Sequence, residues 1–192
     1  MGTIFVDNLE PQSGTSLTLG ANGDTLTIPS GCTISNSGTA SGFGITSAEQ
    51  WRLTTSFTGN AIPIASNLER TDSAKSGSIG TSISESSGVF SLPTGIWKIE
   101  FVPEIYGAGG TDAQVNLVID VDETNNGSFT GYATGLIALV SNSWTTGYIS
   151  LMLDVTDSNV KVRFVIDGSA GEVGGSSTVV NTHFNFIRLG DT

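Results

Sequence analysis

The sequence predicts an all-β protein in two parts: an intertwined, oligomeric β stalk over residues 1–47 and an antiparallel β-sandwich over residues 48–192. Three observations support this prediction. The first part repeats a short apolar unit followed by a polar turn, and the second contains at least four segments in which apolar and polar residues alternate. The chain is also rich in Ser, Thr and its 25 glycines, which suit turns and short strands better than helices.

The repeat in the first part has too little apolar surface to fold as a single chain. Each unit, such as Leu17-Thr18-Leu19 before the turn at 20–24, offers only two inward side chains. That area does not offset the entropy lost when the unit becomes ordered. The segment is therefore either disordered or wound together with partner chains, and in the second case its interface residues are Leu17, Leu19, Leu26, Ile28 and Ile34.

Residues 1–12 form an apolar arm that ends in acidic and polar residues, and it has no basic region or cleavage site typical of a signal peptide. An exposed apolar arm is expected to attach to a partner, here through Ile4, Phe5, Val6 and Leu9. The sole cysteine, Cys32, replaces a small apolar residue of the repeat, so we expect it to pack rather than to form a disulfide.

The second part alternates with a period of two residues, which is typical of strands with one buried face. The alternating segments are 97–102, 114–121, 149–155 and 160–167, separated by turns, and they predict a sandwich of roughly eight to ten strands. Residues 136–140 are apolar on both faces, which favours contact between this strand and another subunit. We therefore expect Ile137 and Leu139 at a subunit interface.

The composition excludes several classes of partner. The net charge of −11 argues against nucleic acid and against anionic membranes, both of which require clusters of Lys and Arg. No segment has the length of a membrane-spanning helix, so we expect no membrane insertion.

An acidic segment beginning at Asp122 resembles a calcium-binding loop in part. It has oxygen-bearing residues at its first, third and fifth positions and Gly127 at the sixth, but Ala133 stands where the bidentate Glu of such a loop belongs. A hairpin turn with Asn126-Gly127 at its tip explains the same residues. We favour the hairpin and expect no cofactor, with Asp120, Asp122 and Glu123 as the residues that would hold calcium in the alternative.

The case for an enzyme rests on weak patterns. Asp120 and Asp122 share a strand face at about 6.7 Å, a separation near that of glycosidase carboxylates, but any two acids two residues apart pass this test. His183 is the sole histidine, and no nucleophile or second base accompanies it in the pattern. We predict no catalytic residues and no enzymatic activity.

Aromatic residues next to small polar ones favour a binding surface in the loops. Tyr106 precedes a run of glycines, and Trp144 follows Ser141-Asn142-Ser143. Aromatic faces flanked by small polar side chains commonly bind sugars or protein epitopes. Tyr106 and Trp144 are therefore candidate receptor-binding residues, with burial in the core as the alternative for Trp144.

Residues 87–101, SGVFSLPTGIWKIEF, and the closing strand 182–191, THFNFIRLGD, resemble the jelly-roll domain of the tumour-necrosis-factor and complement globular-head superfamily. The similarity lies in the pattern Gly-x-Phe-x-x-Pro followed by a Gly and an aromatic-rich alternating strand. The resemblance implies a jelly-roll head and assembly as a trimer around a three-fold axis. The absence of a collagen repeat before the head departs from the animal members and argues against their signalling roles.

Residues 2–9, GTIFVDNL, together with 16–20, SLTLG, and 26–31, LTIPSG, resemble the N-termini of fibre and other virion proteins of tailed phages of marine bacteria, especially cyanophages. This resemblance implies a homotrimeric β stalk anchored to a phage tail or capsid protein by the arm. It predicts a virion protein whose head serves host-surface adsorption through a glycan or protein receptor. A capsid decoration or cement protein is the alternative, and a glycan-degrading tail enzyme is a distant third.

Overall fold

A computed structural model of the 192-residue chain describes residues 9–35, 45–71, 77–80, 82–108, 114–168 and 171–192. Ile4, Phe5 and Val6 of the expected attachment arm lie outside the described residues. The chain divides into two compact units, Met1–Ala40 and Ser41–Thr192.

The first unit is described over residues 9–35 and consists there of turns joined by extended segments, with no residue in a strand. At one turn the Asp24 side chain accepts a hydrogen bond from Ala21 N at 2.7 Å, while Asp24 N donates to Ala21 O at 3.0 Å. At another, Cys32 N donates to Pro29 O at 3.2 Å, and Gly31 has φ +86°, which favours glycine. The turns expected within the repeat are present, whereas the expected strands do not form in a single chain.

The second unit is built from strands. In the described part of the chain they are β1 (Ser47–Leu53), β2 (Thr55–Thr58), β3 (Leu68–Arg70), β4 (Ser84–Ser86), β5 (Val89–Ser91), β6 (Gly95–Val102), β7 (Glu104–Tyr106), β8 (Gln114–Asp122), β9 (Thr130–Ala138), β10 (Trp144–Thr146), β11 (Ile149–Val155), β12 (Lys161–Gly168), β13 (Glu172–Ser176) and β14 (His183–Gly190).

These strands pair antiparallel in three sheets. One five-stranded sheet has the order β11-β6-β14-β1-β3, and the other has the order β4-β5-β12-β8-β9. A smaller four-stranded sheet has the order β10-β7-β13-β2. Neighbours such as β6 and β14 are far apart in sequence, so the fold depends on long-range pairing.

The two five-stranded sheets enclose one aromatic core. Phe90 on β5 packs against Phe186 on β14, with ring centroids 5.1 Å apart, and Phe164 on β12 lies 4.4 Å from Phe184 on β14. Trp97 on β6 is fully buried and donates through Nε1 to Pro93 O at 2.8 Å. The sandwich prediction is confirmed, because the two phenylalanine pairs join inward-facing residues of the opposing sheets.

The four alternating segments place their apolar residues inward as predicted. In β6 every second residue is buried, including Trp97, Ile99 and Phe101. In β8 the inward residues Val115, Leu117, Ile119 and Val121 are at most 1% exposed. β11 shows the same alternation, and β12 does so except at Val165, which is buried on the other face of the strand.

The described residues form more strands than the roughly eight to ten expected, because interruptions divide long strands. Pro103 separates β6 from β7, since proline has no N–H to continue the ladder. Thr54 separates β1 from β2, and its N–H donates instead to Asn67 O at 2.7 Å. Each break moves the chain into the four-stranded sheet. No helix in the described ranges is long and apolar enough to cross a membrane.

Candidate functional site

The outward surface of the four-stranded sheet carries the two aromatic residues singled out in the sequence. Trp144 on β10 pairs with Tyr106 on β7. Glu172 on β13 pairs with Tyr106 on one side and with Thr58 of β2 on the other, so the four residues form one row across the sheet. Ile105 and Val173, the neighbours of Tyr106 and Glu172, are fully buried, so the row itself points away from the core. We call this surface the aromatic face and define it by six residues: Thr58, Glu104, Tyr106, Trp144, Glu172 and Gly174.

Trp144 lies across the aromatic face. Its ring centroid is 5.4 Å from that of Tyr106 with an angle of 58° between the planes. A Cβ added at Gly174 would lie 3.1 Å from Trp144 Cζ3, closer than almost all real contacts of this kind. The missing side chain of Gly174 therefore makes room for the indole, and Trp144 remains 45% exposed. The sequence left open whether Trp144 lies at the surface or in the core, and the structure places it at the surface.

Glu104 also reaches this point of the sheet. Its Oε2 would lie 3.0 Å from the same added Cβ at Gly174, so carboxylate and indole converge above one glycine. Its backbone N–H donates a hydrogen bond to Thr182 Oγ1 at 3.0 Å, which fixes the start of β7. The sequence does not bring Glu104, Glu172 and Gly174 together, because its glycine-rich stretch 168–175 indicates a candidate binding loop, whereas the structure has Glu172–Ser176 as strand β13. The alternation Glu104-Ile105-Tyr106 was the available signal, because it puts Glu104 on the same face as Tyr106.

Asp120 and Asp122, two of the three carboxylates proposed for calcium, accept hydrogen bonds from nearby groups of the protein. Arg163 Nε donates to Asp120 Oδ2 at 2.8 Å. Asp122 accepts from Thr124 N at 3.0 Å through Oδ1 and from Gly127 N at 2.7 Å through Oδ2. Burial of Asp122 raises the pKa of its carboxyl, but the backbone N–H donors outweigh this effect and hold the pKa below its usual value.

These contacts are those of a hairpin turn. Residues 123–129 join β8 to β9, with Asn125 at φ +53° and Gly127 at φ +83°. The third candidate ligand, Glu123, accepts a hydrogen bond from the Tyr132 hydroxyl, which raises the pKa of that tyrosine. Within the described ranges, no three His, Cys, Asp or Glu side chains are grouped as metal ligands.

The apolar segment 136–140 divides its residues between the core and the surface. Leu139 is only 2% exposed and belongs to the core, and Ile137 packs against it. Leu139 therefore has little surface left for another subunit, whereas Ile137 is only partly buried, and the interface expected of the two residues stays a prediction. The exposed residues of the segment are instead Leu136 and Val140, at 64% and 60%.

Exposed apolar residues also occur on β11 and directly before it. β9 and β11 are the last strands of the two five-stranded sheets, and they approach so closely that a Cβ on Gly135 would lie 2.4 Å from Ile149 Cγ2. Tyr148 and Met152 are 57% and 58% exposed. We call Leu136, Val140, Tyr148 and Met152 the edge surface.

The repeat residues of the first unit are also exposed. The exposed fractions are 45% for Leu17, 57% for Leu19, 67% for Leu26, 45% for Ile28 and 64% for Ile34. Leu9, the one attachment residue among the described ranges, is 51% exposed, and Cys32 is exposed as well. A single chain thus leaves the apolar side chains of the repeat in water.

A hydrogen-bonded network centred on Glu100 covers the outward side of β6 and β14. Glu100 accepts from Tyr148 Oη at 2.9 Å and from Asn185 Nδ2 at 3.0 Å, and it pairs with Lys98 at 2.7 Å. The bond to Lys98 is the main reason that the pKa of Glu100 is lowered.

The sole histidine, His183, lies within hydrogen-bonding distance of the backbone: its Nδ1 is 2.8 Å from Asn181 O.

Comparison with solved structures shows which fold this is. Murine APRIL at pH 5.0 matches with a TM-score of 0.57 and 10% sequence identity, covering 74% of this chain and 98% of that one. Eiger TNF from S. frugiperda matches with a TM-score of 0.57 and 7% identity, covering 78% of this chain and 96% of that one. No protein-family model matches the sequence, and no curated protein matches it.

At such low identity these likenesses concern architecture alone. They cover most of the chain and agree with the antiparallel sandwich described above. The expected jelly-roll architecture is confirmed: over most of its length, the chain has the fold of TNF-family jelly-roll domains.

Proposed function

We propose that the protein is a homotrimeric phage virion fibre, anchored by its N-terminal arm and carrying a jelly-roll head for adsorption to the host surface. The observation that carries the proposal is the exposure of the repeat. Five regularly placed Leu and Ile side chains between 17 and 34 are 45–67% exposed in one chain. Apolar side chains that recur along one segment favour burial against partner chains.

Support for three chains comes from the head. The TNF-like fold favours a trimer, and the edge surface supplies apolar area where two sheet edges meet. In the proposed assembly the stalk residues Leu17, Leu19, Leu26, Ile28 and Ile34 pack around the axis. In the head, Leu136 and Val140 contribute to the interface that was first expected of Ile137 and Leu139.

The proposal of a virion protein is supported by the sequences of residues 2–9, 16–20 and 26–31, which resemble the N-termini of tailed-phage fibre proteins. The attachment partner is then a tail or capsid protein that binds Ile4, Phe5, Val6 and Leu9. Deleting residues 1–12 is expected to abolish attachment to particles and to leave the oligomer soluble. A deleted form that still attaches would place the anchor elsewhere.

Adsorption is tested by incubating the purified full chain with host cells before adding phage. Binding to the cells together with a reduced rate of phage adsorption supports the fibre. Binding only to empty capsids, with increased resistance of those capsids to heat, would replace this proposal with the capsid decoration role.

A further inference from the structure

The aromatic face combines an accessible indole with acidic side chains on a rigid sheet. The Trp144 indole approaches Gly174 through Cζ3 and Cη2, and the residue is 45% exposed, so part of its surface is available for contact. Tyr106 stands beside it at 58°, so the two rings form an angled apolar surface. Trp144 is exposed and Tyr106 is half-buried, and an exposed aromatic beside a second one indicates a binding site.

The polar groups of the face are carboxylates. Glu104 converges with Trp144 above Gly174, and Glu172 lies opposite Tyr106 in the register. The ion pairs formed among the described residues involve other acids, such as Glu69, Glu100 and Asp120. Glu104 and Glu172 therefore leave their oxygens available as acceptors along the edge of the rings.

This combination matches the two surfaces of a sugar ring. The C–H side of a pyranose packs against an aromatic face, and its equatorial hydroxyls point sideways, where carboxylates accept strong hydrogen bonds. A carboxylate or sulfate on the sugar would instead be repelled by Glu104 and Glu172 and by a chain whose net charge is −11.

We propose that the aromatic face binds a non-acidic glycan, with one neutral or amino sugar stacked on Trp144 and its hydroxyls bound by Glu104 and Glu172. This inference rests on the proposed adsorption role and names the class of receptor. Tyr106 limits the site on one side, and Thr58 extends the row across the fourth strand.

The test uses the full chain and a printed array of bacterial surface polysaccharides that includes neutral, amino-sugar and uronic-acid-rich members. The wild type is expected to bind non-acidic members. Trp144→Ala should weaken that binding by at least about tenfold, and Glu104→Gln by several-fold. Gly174→Ala keeps both functional groups but places a methyl group 3.1 Å from the indole, so it too should weaken binding.

Tyr132→Ala is the matched control, because Tyr132 is an aromatic residue on β9 with 44% exposure, close to the 45% of Trp144. It should leave glycan binding unchanged. Circular dichroism and melting of each variant establish that the fold is retained.

The inference is overturned if no polysaccharide on the array binds, if uronic-acid-rich members bind best, or if Trp144→Ala binds as the wild type does. Binding to whole cells is measured in parallel. Cell binding that survives Trp144→Ala would leave adsorption in place and remove the glycan site. Trp144-dependent binding to the array without any binding to cells would support the glycan site and contradict the adsorption role.

Discussion

Arg163 on β12 donates through Nε to Asp120 Oδ2 on β8 at 2.8 Å, and its guanidinium carbon lies 4.1 Å from the centroid of the Phe129 ring. This contact joins the centre of one sheet to the hairpin that follows β8. Asp120 is only 8% exposed, so its charge depends on Arg163 for compensation. A carboxylate engaged in this way is poorly suited to hold a metal ion or to act as a catalytic base.

Replacing Asp120 with Ala is expected to destabilise the head by about 1.5–3 kcal/mol, because a hydrogen bond to a charged group is lost and Arg163 is left without its partner. Urea unfolding measures the change. Asp154→Ala, at an exposed position on β11, is the control and should stay within about 0.5 kcal/mol of the wild type. Equal effects of the two substitutions would contradict a structural role for the pair.

Calcium is expected to leave the melting temperature unchanged. Asp122 and Glu123 already accept hydrogen bonds from Gly127 N and the Tyr132 hydroxyl. A ligand present at a hundred times its Kd stabilises by about 2.7 kcal/mol, which a melting experiment would detect. A saturable increase in melting temperature on adding calcium, reversed by a chelator, would restore the calcium interpretation.

Asp122 predicts a loss of stability in acid. Its folded pKa lies below its unfolded value, so the unfolded chain binds more protons in the interval between them. The stabilisation is therefore complete above about pH 4 and is lost as the pH falls through the folded pKa. Urea midpoints measured between pH 6 and pH 2.5 should show this decline.

Asp122→Asn is the variant that tests the assignment. It keeps one acceptor oxygen but cannot ionise, so the stability difference from the wild type should shrink as the pH falls. A difference that stays constant over the whole range would mean that the charge of Asp122 does not contribute.

Leu26 distinguishes a stalk from a solvated tail. Its side chain is 67% exposed in one chain, so Leu26→Ser in a monomer should change stability by no more than about 0.5 kcal/mol. In an intertwined stalk the same substitution removes a buried side chain from every subunit, at about 2–5 kcal/mol each for a Leu truncation. We expect the larger effect, measured as a lower and concentration-dependent melting temperature.

Val179→Ser is the control for Leu26→Ser, because Val179 is 59% exposed and lies in the head between β13 and β14. It should have little effect. Equal small effects of both substitutions would contradict a packed stalk.

The sequence was sufficient to predict the strands that have one buried face. Alternation in β6, β8, β11 and β12 is strong because their inward residues fill the core between two sheets. It could not reveal the four-stranded sheet. Strands such as β7 and β10 have three residues each, too few for a periodic signal. β7 and β2 enter this sheet only because the chain is interrupted at Pro103 and at Thr54.

The same limit applies to the candidate site. Tyr106 and Trp144 were selected individually, but their contact depends on the pairing of β7 with β10, which no local pattern indicates. The faces of residues 136–140 were equally ambiguous, since apolar residues occur at every position. Only the structure places Leu139 inward and Leu136 outward.

The trimeric stalk and head are tested by counting the chains in the assembly in solution. Sedimentation equilibrium of the full chain, whose mass is 19.8 kDa, measures their number without reference to shape. The proposed trimer is expected to give a single species of three times the chain mass over a wide range of concentration. A species of one chain mass at the same concentrations would contradict the trimer, and with it the proposed stalk.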